Sequence, residues 1–580
     1  MVLVPADRVA ALAATPIDVG ADPSTAAAST VDEPLEDLLD GDATLPSAEI
    51  DPRGVYRFTA LPTGNVFVVV HPAAADTAHL PGGEGARFAR PVSGLVGMRL
   101  DLRVSTAPSA DARYVGTETC LGCHEAHSVL GTAHQVSLSV PGRPGYLQET
   151  VRWPGYDALV ERLDAGVTLY FHACDTSRDP VCEVSETDPG TGVSFEAVLE
   201  RAGDAYAVTL RDRRGTGEVR YDVALTYGGA LARQQLVVRI DRPSGPEHHV
   251  LPFQYAPDGT NGAEDLLARP WRDVGSSLWY DHAGGALREP GANDSFDRAC
   301  AGCHFTGARL EGDATSGYSA SGLMSPWGEL DFDGDGRLEQ INVGCEGCHG
   351  PGSDHLRASG NGVAIVQPRL LTPGRANALC GRCHSRGAPP WTSEGAIVPA
   401  GVRRSELLAA RAAPEIVAGD RFPSGDARLH RSQYTDHIES TMYRNGSILV
   451  TCEDCHRAHG TDEAHDLRLP ANDDRACTSC HTEIEVRAHV DMRTMDGVHD
   501  GVEDRDLVCT LCHMPPTATG AARSAGLLDD RPTTAAPVQH WLGDLGSHRW
   551  RTAGFDVADA QPSSVEFRCA PCHSLLLPNP

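Results

Sequence analysis

Apolar positions in this chain come in short alternating runs, not in long helical stripes. Residues 1 to 45 are rich in Ala, Asp, Pro, Thr and Ser with weak periodicity, which predicts a disordered or linker segment. Gly54 to His71, GVYRFTALPTGNVFVVVH, combines alternation, a Leu-Pro-Thr-Gly-Asn turn and a β-branched run, which together predict a hairpin. Arg87 to Val104 adds a further strand or two. Gly166 to Cys174, Ala205 to Asp212, Val219 to Tyr227 and Leu236 to Arg239 are strand-like by alternation and composition. Beyond residue 300 the periodicity fades, apart from Arg404 to Ala412 and Asn472 to His489, which predict helices. No run approaches the roughly 18 apolar residues of a membrane-spanning helix, and Val66 to Val70 is far too short.

Where periodicity fails, a cysteine motif takes over. C-x-x-C-H occurs eight times: at Cys120, Cys123 and His124; at Cys300, Cys303 and His304; at Cys345, Cys348 and His349; at Cys380, Cys383 and His384; at Cys452, Cys455 and His456; at Cys477, Cys480 and His481; at Cys509, Cys512 and His513; and at Cys569, Cys572 and His573. This is the attachment signature of a c-type haem. On a helical turn, cysteines three apart share a face and bond one edge of the porphyrin, while the adjacent imidazole reaches the iron. Structural zinc and scattered disulfides are the alternatives, but zinc sites gather C-x-x-C pairs two by two and need no histidine after every second cysteine. The eight motifs use sixteen of the 18 cysteines. Cys174 and Cys182 belong to none, and a disulfide closing a short loop is the expected use of this pair in an exported chain.

Eight porphyrins change the arithmetic of the core. They are large apolar fillers, so a haem-rich segment packs with little regular structure, in keeping with 60 glycines and 40 prolines. The expected fold class is a mostly irregular and α multihaem cytochrome c core with a β-rich insert and an N-terminal partial β-sandwich module. The expected units are a linker over 1–45, the partial sandwich over 46–110, the first haem with the β-rich insert over 111–299, the multihaem core over 300–516, and a C-terminal extension with the eighth haem over 517–580. The pattern G-x-Y-x-F-x-x-L-x-x-G near residue 54 resembles the closing strands of carboxypeptidase-regulatory-like or Cna-B-like modules.

The formal net charge is −30, and all 49 basic residues are arginine. An acidic surface disfavours nucleic acid and anionic membranes as partners, and without lysine no amine can ligate a haem. The N-terminus has neither a basic start nor a continuous apolar stretch, so no signal peptide is visible although c-type haem implies export; a clipped or misassigned start is the expected reason. Asp331 to Asn342, DFDGDGRLEQIN, places Asp331, Asp333 and Asp335 at positions one, three and five with Gly336 at six, as in a calcium loop. Asn342 stands at position twelve where a glutamate is expected, and Glu339 is an additional candidate ligand; an acidic solvated turn is the alternative.

The ordered stretches YVGTETCLGCH with His134, YGGALARQQLVV with HHVLPFQY, CAGCHFTG, VGCEGCHGPGSDH, CGRCHSRG, STMYRNGSILVTCEDCHRAH and CTLCHMP resemble the octahaem and tetrahaem c-type cytochromes related to hydroxylamine oxidoreductase. The resemblance runs from about Tyr114 to Pro516 and implies exported, closely packed haems, mostly with two histidine ligands per iron. The last motif and the N-terminal hairpin lie outside it. Matched residue by residue, it implies His134, His355 and His459 as distal ligands, His459 capping a neighbouring iron because it follows its own motif too closely. Position within the haem-dense region adds His437, His489, His499 and His548, with His127, His430, His465 and His540 in reserve; His71, His79 and His172 are expected to be structural.

The expected function is electron transfer between redox partner proteins, in the periplasm or outside the cell. The alternative is an oxidoreductase in which one iron lacks a distal side chain and takes a small nitrogen or sulfur species. A scaffold role would rest on the N-terminal β-module alone.

Overall fold

The computed structural model describes residues 1–15, 17, 33–143, 157–172, 184–215, 217–228, 234–243, 245–255, 270–325, 328–386, 390–411, 420–421, 425–427, 429–461, 463–486, 488–489, 508–518, 527–528, 539–540 and 545–550. The eighth motif, formed by Cys569, Cys572 and His573, therefore lies outside the described residues, as do the candidate ligand His499 and the cysteines Cys174 and Cys182.

The N-terminal region departs from the sequence expectation. Strand β1 (Val2–Pro5) pairs antiparallel with β2 (Asn65–Val69), which pairs in turn with β3 (Arg90–Pro91). The β-branched run thus finds its partner at the chain start, not in a local hairpin, and no longer strand forms over Arg87 to Val104. Alternation explains the choice. Val66, Val68 and Val70 pack with Met1 and Leu3 on one face, while Phe67 and Val69 pack with Val4, Val9, Leu35 and Leu38 on the other. Both faces of β2 are covered, and a local turn would leave one of them wet. Residues expected to be a disordered linker supply that cover: Ala6–Ala13 and Pro34–Gly41 are helices with buried apolar faces. The unit docks on the rest of the chain through Gly82, whose backbone pairs with Leu371; an added Cβ there would lie 2.1 Å from the Leu370 carbonyl oxygen.

The insert is an antiparallel sheet. Its strands are β4 (Leu138–Ser139), β5 (Val167–His172), β6 (Val184–Ser185), β7 (Val193–Ala202), β8 (Ala205–Asp212), β9 (Glu218–Tyr227), β10 (Gln234–Arg242), β11 (Gly245–Tyr255) and β12 (Trp271–Asp273). The spatial order is β12-β11-β10-β9-β8-β7-β5-β6, with β4 also on β9. The four strands expected from alternation are all present, and β7 and β11 add two that the pattern reading passed over. Period-two alternation divides β10 and β11 between two cores. Leu236, Val238, Ile240, Leu251 and Phe253 join a large cluster with Phe171, Phe195 and Trp279. Val237 and Val250 face the other way, onto Phe296, Phe305 and Phe332 beside the second motif. The sheet is therefore a wall of the haem-motif region as well as a unit with its own core.

From Cys300 to His513 the described chain is loops, short helices and two short antiparallel pairs, Arg309–Asp313 with Gly317–Ser321 and Leu323–Met324 with Glu339–Gln340. Arg404–Arg411 is helical as expected. The expected helix from Asn472 to His489 is broken, with Arg475–Thr478 a single turn followed by turns. Buried polar groups do much of the joining. Glu346 accepts the backbone N–H groups of Val115, Gly116 and Gly352. Arg382 donates to the carbonyls of Val398 and Gly347.

Candidate haem-binding sites

Each of the described motifs begins on a helical turn: Thr117–His124, Gly302–His304 (continuing the π-helical turn Asp297–Ala301), Cys345–His349, Pro373–His384, Cys452–Cys455, Arg475–Thr478 and Cys509–His513. Gly344 makes the approach between two of them possible, since a Cβ there would lie 2.1 Å from Thr117 Oγ1.

The motif cysteines are not equally enclosed. Cys123, Cys480 and Cys512 are exposed, whereas the other described motif cysteines are half-buried. Each of the three is the second cysteine of its motif, and the protein covers it less than the other described motif cysteines. Cys572 and His573, expected to anchor and ligate the eighth haem with Cys569, lie outside the described residues and are given no place in this geometry.

The imidazoles are arranged in pairs. Two rings on opposite sides of one iron, each bonded at about 2 Å through nitrogen, have centroids roughly 6 Å apart. The centroid distances are 6.2 Å for His124 and His355, 6.2 Å for His349 and His459, 6.3 Å for His456 and His548, 6.3 Å for His489 and His513, and 6.1 Å for His134 and His384. Four of these pairs are within 29° of parallel, and the fifth is at 84°. Parallel rings in direct contact lie much closer: 4.3 Å for Phe171 and Phe195, 3.7 Å for His248 and Phe332. The histidine pairs are thus held apart by about the thickness an iron and its two bonds require. The residues present fit the haem.

The second ring nitrogen is held in place in several of these pairs. Nδ1 meets the carbonyl of Val366 in His349, of His465 in His456, of Val363 in His355 and of Gly546 in His548, at 2.7 to 3.0 Å. In that tautomer Nδ1–H donates and Nε2 is left as the ligand atom. His304 Nδ1 lies 3.1 Å from Ser137 Oγ. Burial lowers His134, His349 and His459 and pushes His304 and His548 down to about 3 and His384 to about 4, which favours their neutral form. None of the carbonyl partners had a sequence signal, because any residue supplies a carbonyl.

The other expected ligands are placed differently. His437 is buried with both nitrogens engaged, Nε2 with the Val450 carbonyl at 2.9 Å and Nδ1 with the Trp550 indole at 3.4 Å, and so faces no motif histidine at the paired spacing. His127 lies edge-on to both His124 and His459. His465 has φ +59° and serves through its carbonyl. His430 precedes Arg431, a neighbour of the second motif, and His540 sits in the short strand Gln539–His540. His71 and His79 face Asp40 and Asp76. His172 ends β5. Among the described residues, His304 and His481 have no second imidazole at the paired spacing; His304 instead meets Tyr227 at 5.1 Å and Phe296 at 6.3 Å.

The thiols give an order in space. Cys120 lies beside Cys345, Cys380 beside Cys452, Cys303 beside Cys383, and Cys477 beside Cys509. Cys348 adjoins Cys380 and Cys383, and Cys455 adjoins Cys477 and Cys480. The motifs therefore succeed one another as 120, 345, 380, 452, 477 and 509, with 300 branching at 380.

Residues 445–486 match the family described as the doubled CXXCH motif. The chain is also similar to multiheme cytochrome MtrA of Shewanella baltica (strain OS185), 26% identical over 148 residues, which is 24% of this chain and 42% of that protein. The alignment thus spans less than half the length of that relative. No solved structure matches the chain significantly. The matched motif, the relative and the spaced imidazole pairs support a multihaem c-type cytochrome.

Proposed function

We propose that this chain carries electrons through eight covalently attached haems, mostly with two histidine ligands, in the periplasm or outside the cell, as a cytochrome related to the hydroxylamine-oxidoreductase group. The observation that carries the reading is the set of imidazole pairs at 6.1 to 6.3 Å. Bound haem supplies a one-electron iron couple whose potential follows axial ligation, burial and hydrogen bonding. The chain's own residues anchor and orient. Cysteines on helical turns fix one edge of each group, and paired imidazoles from distant segments close both axial positions. Backbone carbonyls on Nδ1 hold the rings against rotation and raise their basicity as ligands. The succession of neighbouring thiols from Cys120 to Cys509 supports a linear order from which the second motif branches at the fourth. Donor and acceptor are redox proteins, and the acidic surface fits basic ones.

A second reading, an oxidoreductase with one open iron, is favoured by a specific place. His304 has aromatic neighbours where His124, His349, His384, His456 and His513 have a second imidazole, and Arg431 and the Tyr227 phenol supply charge and a proton donor beside it. Optical and EPR spectra of the fully loaded ferric protein, repeated after reduction under carbon monoxide, separate the two. Wholly low-spin iron with no carbon monoxide shift supports transfer alone. A high-spin fraction near one haem in eight that shifts with carbon monoxide overturns it in favour of the enzyme.

A further inference from the structure

The acidic loop that the haem reading does not use is built into the second motif. Carboxylate oxygens of Asp331, Asp333 and Asp335 lie within 4.8 Å of one another. A fourth acid joins them from the strand Glu339–Gln340. Glu339 is 0% exposed, and its Oε2 accepts the Phe332 N–H, between the first two aspartates, at 2.6 Å. Its Oε1 is buried without a hydrogen-bond partner among the described residues, as is Asp331 Oδ1. Burial first, and then the charges of Asp333, Asp331 and Asp335, push this carboxyl up to about 7. An unpartnered buried carboxylate oxygen within the charge field of three more carboxylates is costly unless a cation balances it. Hard oxygen donors on a flexible loop suit calcium over the smaller and stricter magnesium.

The loop departs from the standard calcium-binding pattern at position twelve. Asn342 takes no part: its Oδ1 accepts from Ser137 Oγ at 2.9 Å and from the Leu138 N–H at 2.8 Å, and its Nδ2 donates to the Leu138 carbonyl at 2.9 Å. Glu339, at position nine, is the acid left to complete the set.

That departure ties the loop to a haem ligand. Ser137 Oγ, donating to Asn342, is the atom 3.1 Å from His304 Nδ1, so the hydroxyl accepts from the imidazole and passes its own proton on to the amide. Phe305, next to His304, pairs with both Ile341 and Asn342, three residues or fewer from Glu339. Phe332, between two of the aspartates, packs on Phe305 at 4.7 Å. We propose that Asp331, Asp333, Asp335 and Glu339 bind one calcium ion, and that its binding sets the orientation of His304 through Asn342 and Ser137. The second part rests on the reading of His304 as a haem ligand.

The test is calorimetric titration of calcium chloride into the chelator-treated, haem-loaded full chain, with EPR spectra taken before and after. One calcium per chain is expected, with affinity reduced at least tenfold in Asp333→Asn and in Glu339→Gln. Binding should move the EPR signal of one haem, and Ser137→Ala should abolish that movement while leaving calcium affinity within twofold. Absence of stoichiometric binding to the wild-type chain, or magnesium binding equally well, overturns the site. Calcium binding that leaves every haem signal in place overturns the link to His304. The intact mass counts attached haems separately. A count short at the second motif, with calcium still bound, overturns the haem reading and the link together while sustaining the site.

Discussion

The β-rich insert and the region from Cys300 to His513 are held together by opposite means. In the insert, Phe171 stacks on Phe195 at 4.3 Å, Phe195 on Tyr280 at 5.3 Å, and Trp279 is 1% exposed, so a continuous apolar cluster closes the core. In the motif region the largest fully buried side chains include Arg404, and Arg375, Arg382, Arg411, Glu346 and Asp436 are buried as well. Apolar side chains such as Phe305, Trp391, Leu407 and Tyr434 are buried beside them, and His124 and His134 face His355 and His384 from distant parts of the sequence. A chain that spends its cysteines and histidines on a prosthetic group lets that group stand in for a hydrophobic core.

The largest effect that tests this contrast is loss of haem attachment. Chain produced without haem should lose hydrogen-exchange protection throughout 300–513 while β7 to β11 keep theirs; equal protection in both regions would remove the contrast. Next is Phe195→Ala, expected to cost about 3–5 kcal/mol by leaving a cavity in the insert. Denaturant unfolding followed by exchange should place that loss in the sheet and leave the ferric haem spectrum unchanged. Arg403→Ala should cost about 3 kcal/mol. Arg403 faces Glu33 at 3.4 Å and Glu36 at 3.7 Å, and also reaches Asp37 and Asp40, so its removal leaves buried acids without their cation. Loss of exchange protection in the helix Pro34–Gly41 is the readout.

The smallest effect is a pH slope in the same place. Burial raises Glu36 from 4.5 to about 7 despite Arg375 and Arg403, and Glu33 is raised as well. The native state then holds a proton that the unfolded chain releases, so this contribution to stability is full below pH 4.5 and lost as pH rises to about 7. Glu36→Gln should flatten that slope in melting temperatures measured between pH 4.5 and 7.

The N-terminal region shows the reach of pattern reading. The β-branched run at Val66 to Val70 was legible as a strand, but its partner was not. Alternation states which residues of a strand share a face, whereas pairing depends on what covers both faces, and here the cover came from residues 2–5, 6–13 and 34–41. Strands β8 and β9 were legible because each alternates and ends at a turn. Strand β11 escaped notice because its buried positions include His248, His249 and Gln254, polar residues that alternation counts as solvent-facing.

The haem sites divide in the same way. Cysteine spacing and the adjacent histidine are local, set by the geometry of one helical turn, and the sequence by itself determined the attachment points, the motif histidines and the acidic loop. How far the chain encloses each attachment point was decided only in three dimensions: Cys123 and Cys512 carry the same local signature as Cys303 and Cys383, yet the first two are exposed and the last two half-buried. Which imidazole faces which was decided there too. His134 meets His384 and His459 meets His349 because separate loops are folded against one another: the Val343 N–H donates to the His134 carbonyl and the Ala133 N–H to the Asp466 carboxylate, each at 3.1 Å. His437 is as well placed in sequence as His548, yet the Val450 carbonyl and the Trp550 indole claim its nitrogens while His548 stands across from His456. A histidine becomes a ligand only when its Nε2 is left unclaimed and aimed, and both conditions depend on backbone carbonyls whose positions no residue type encodes.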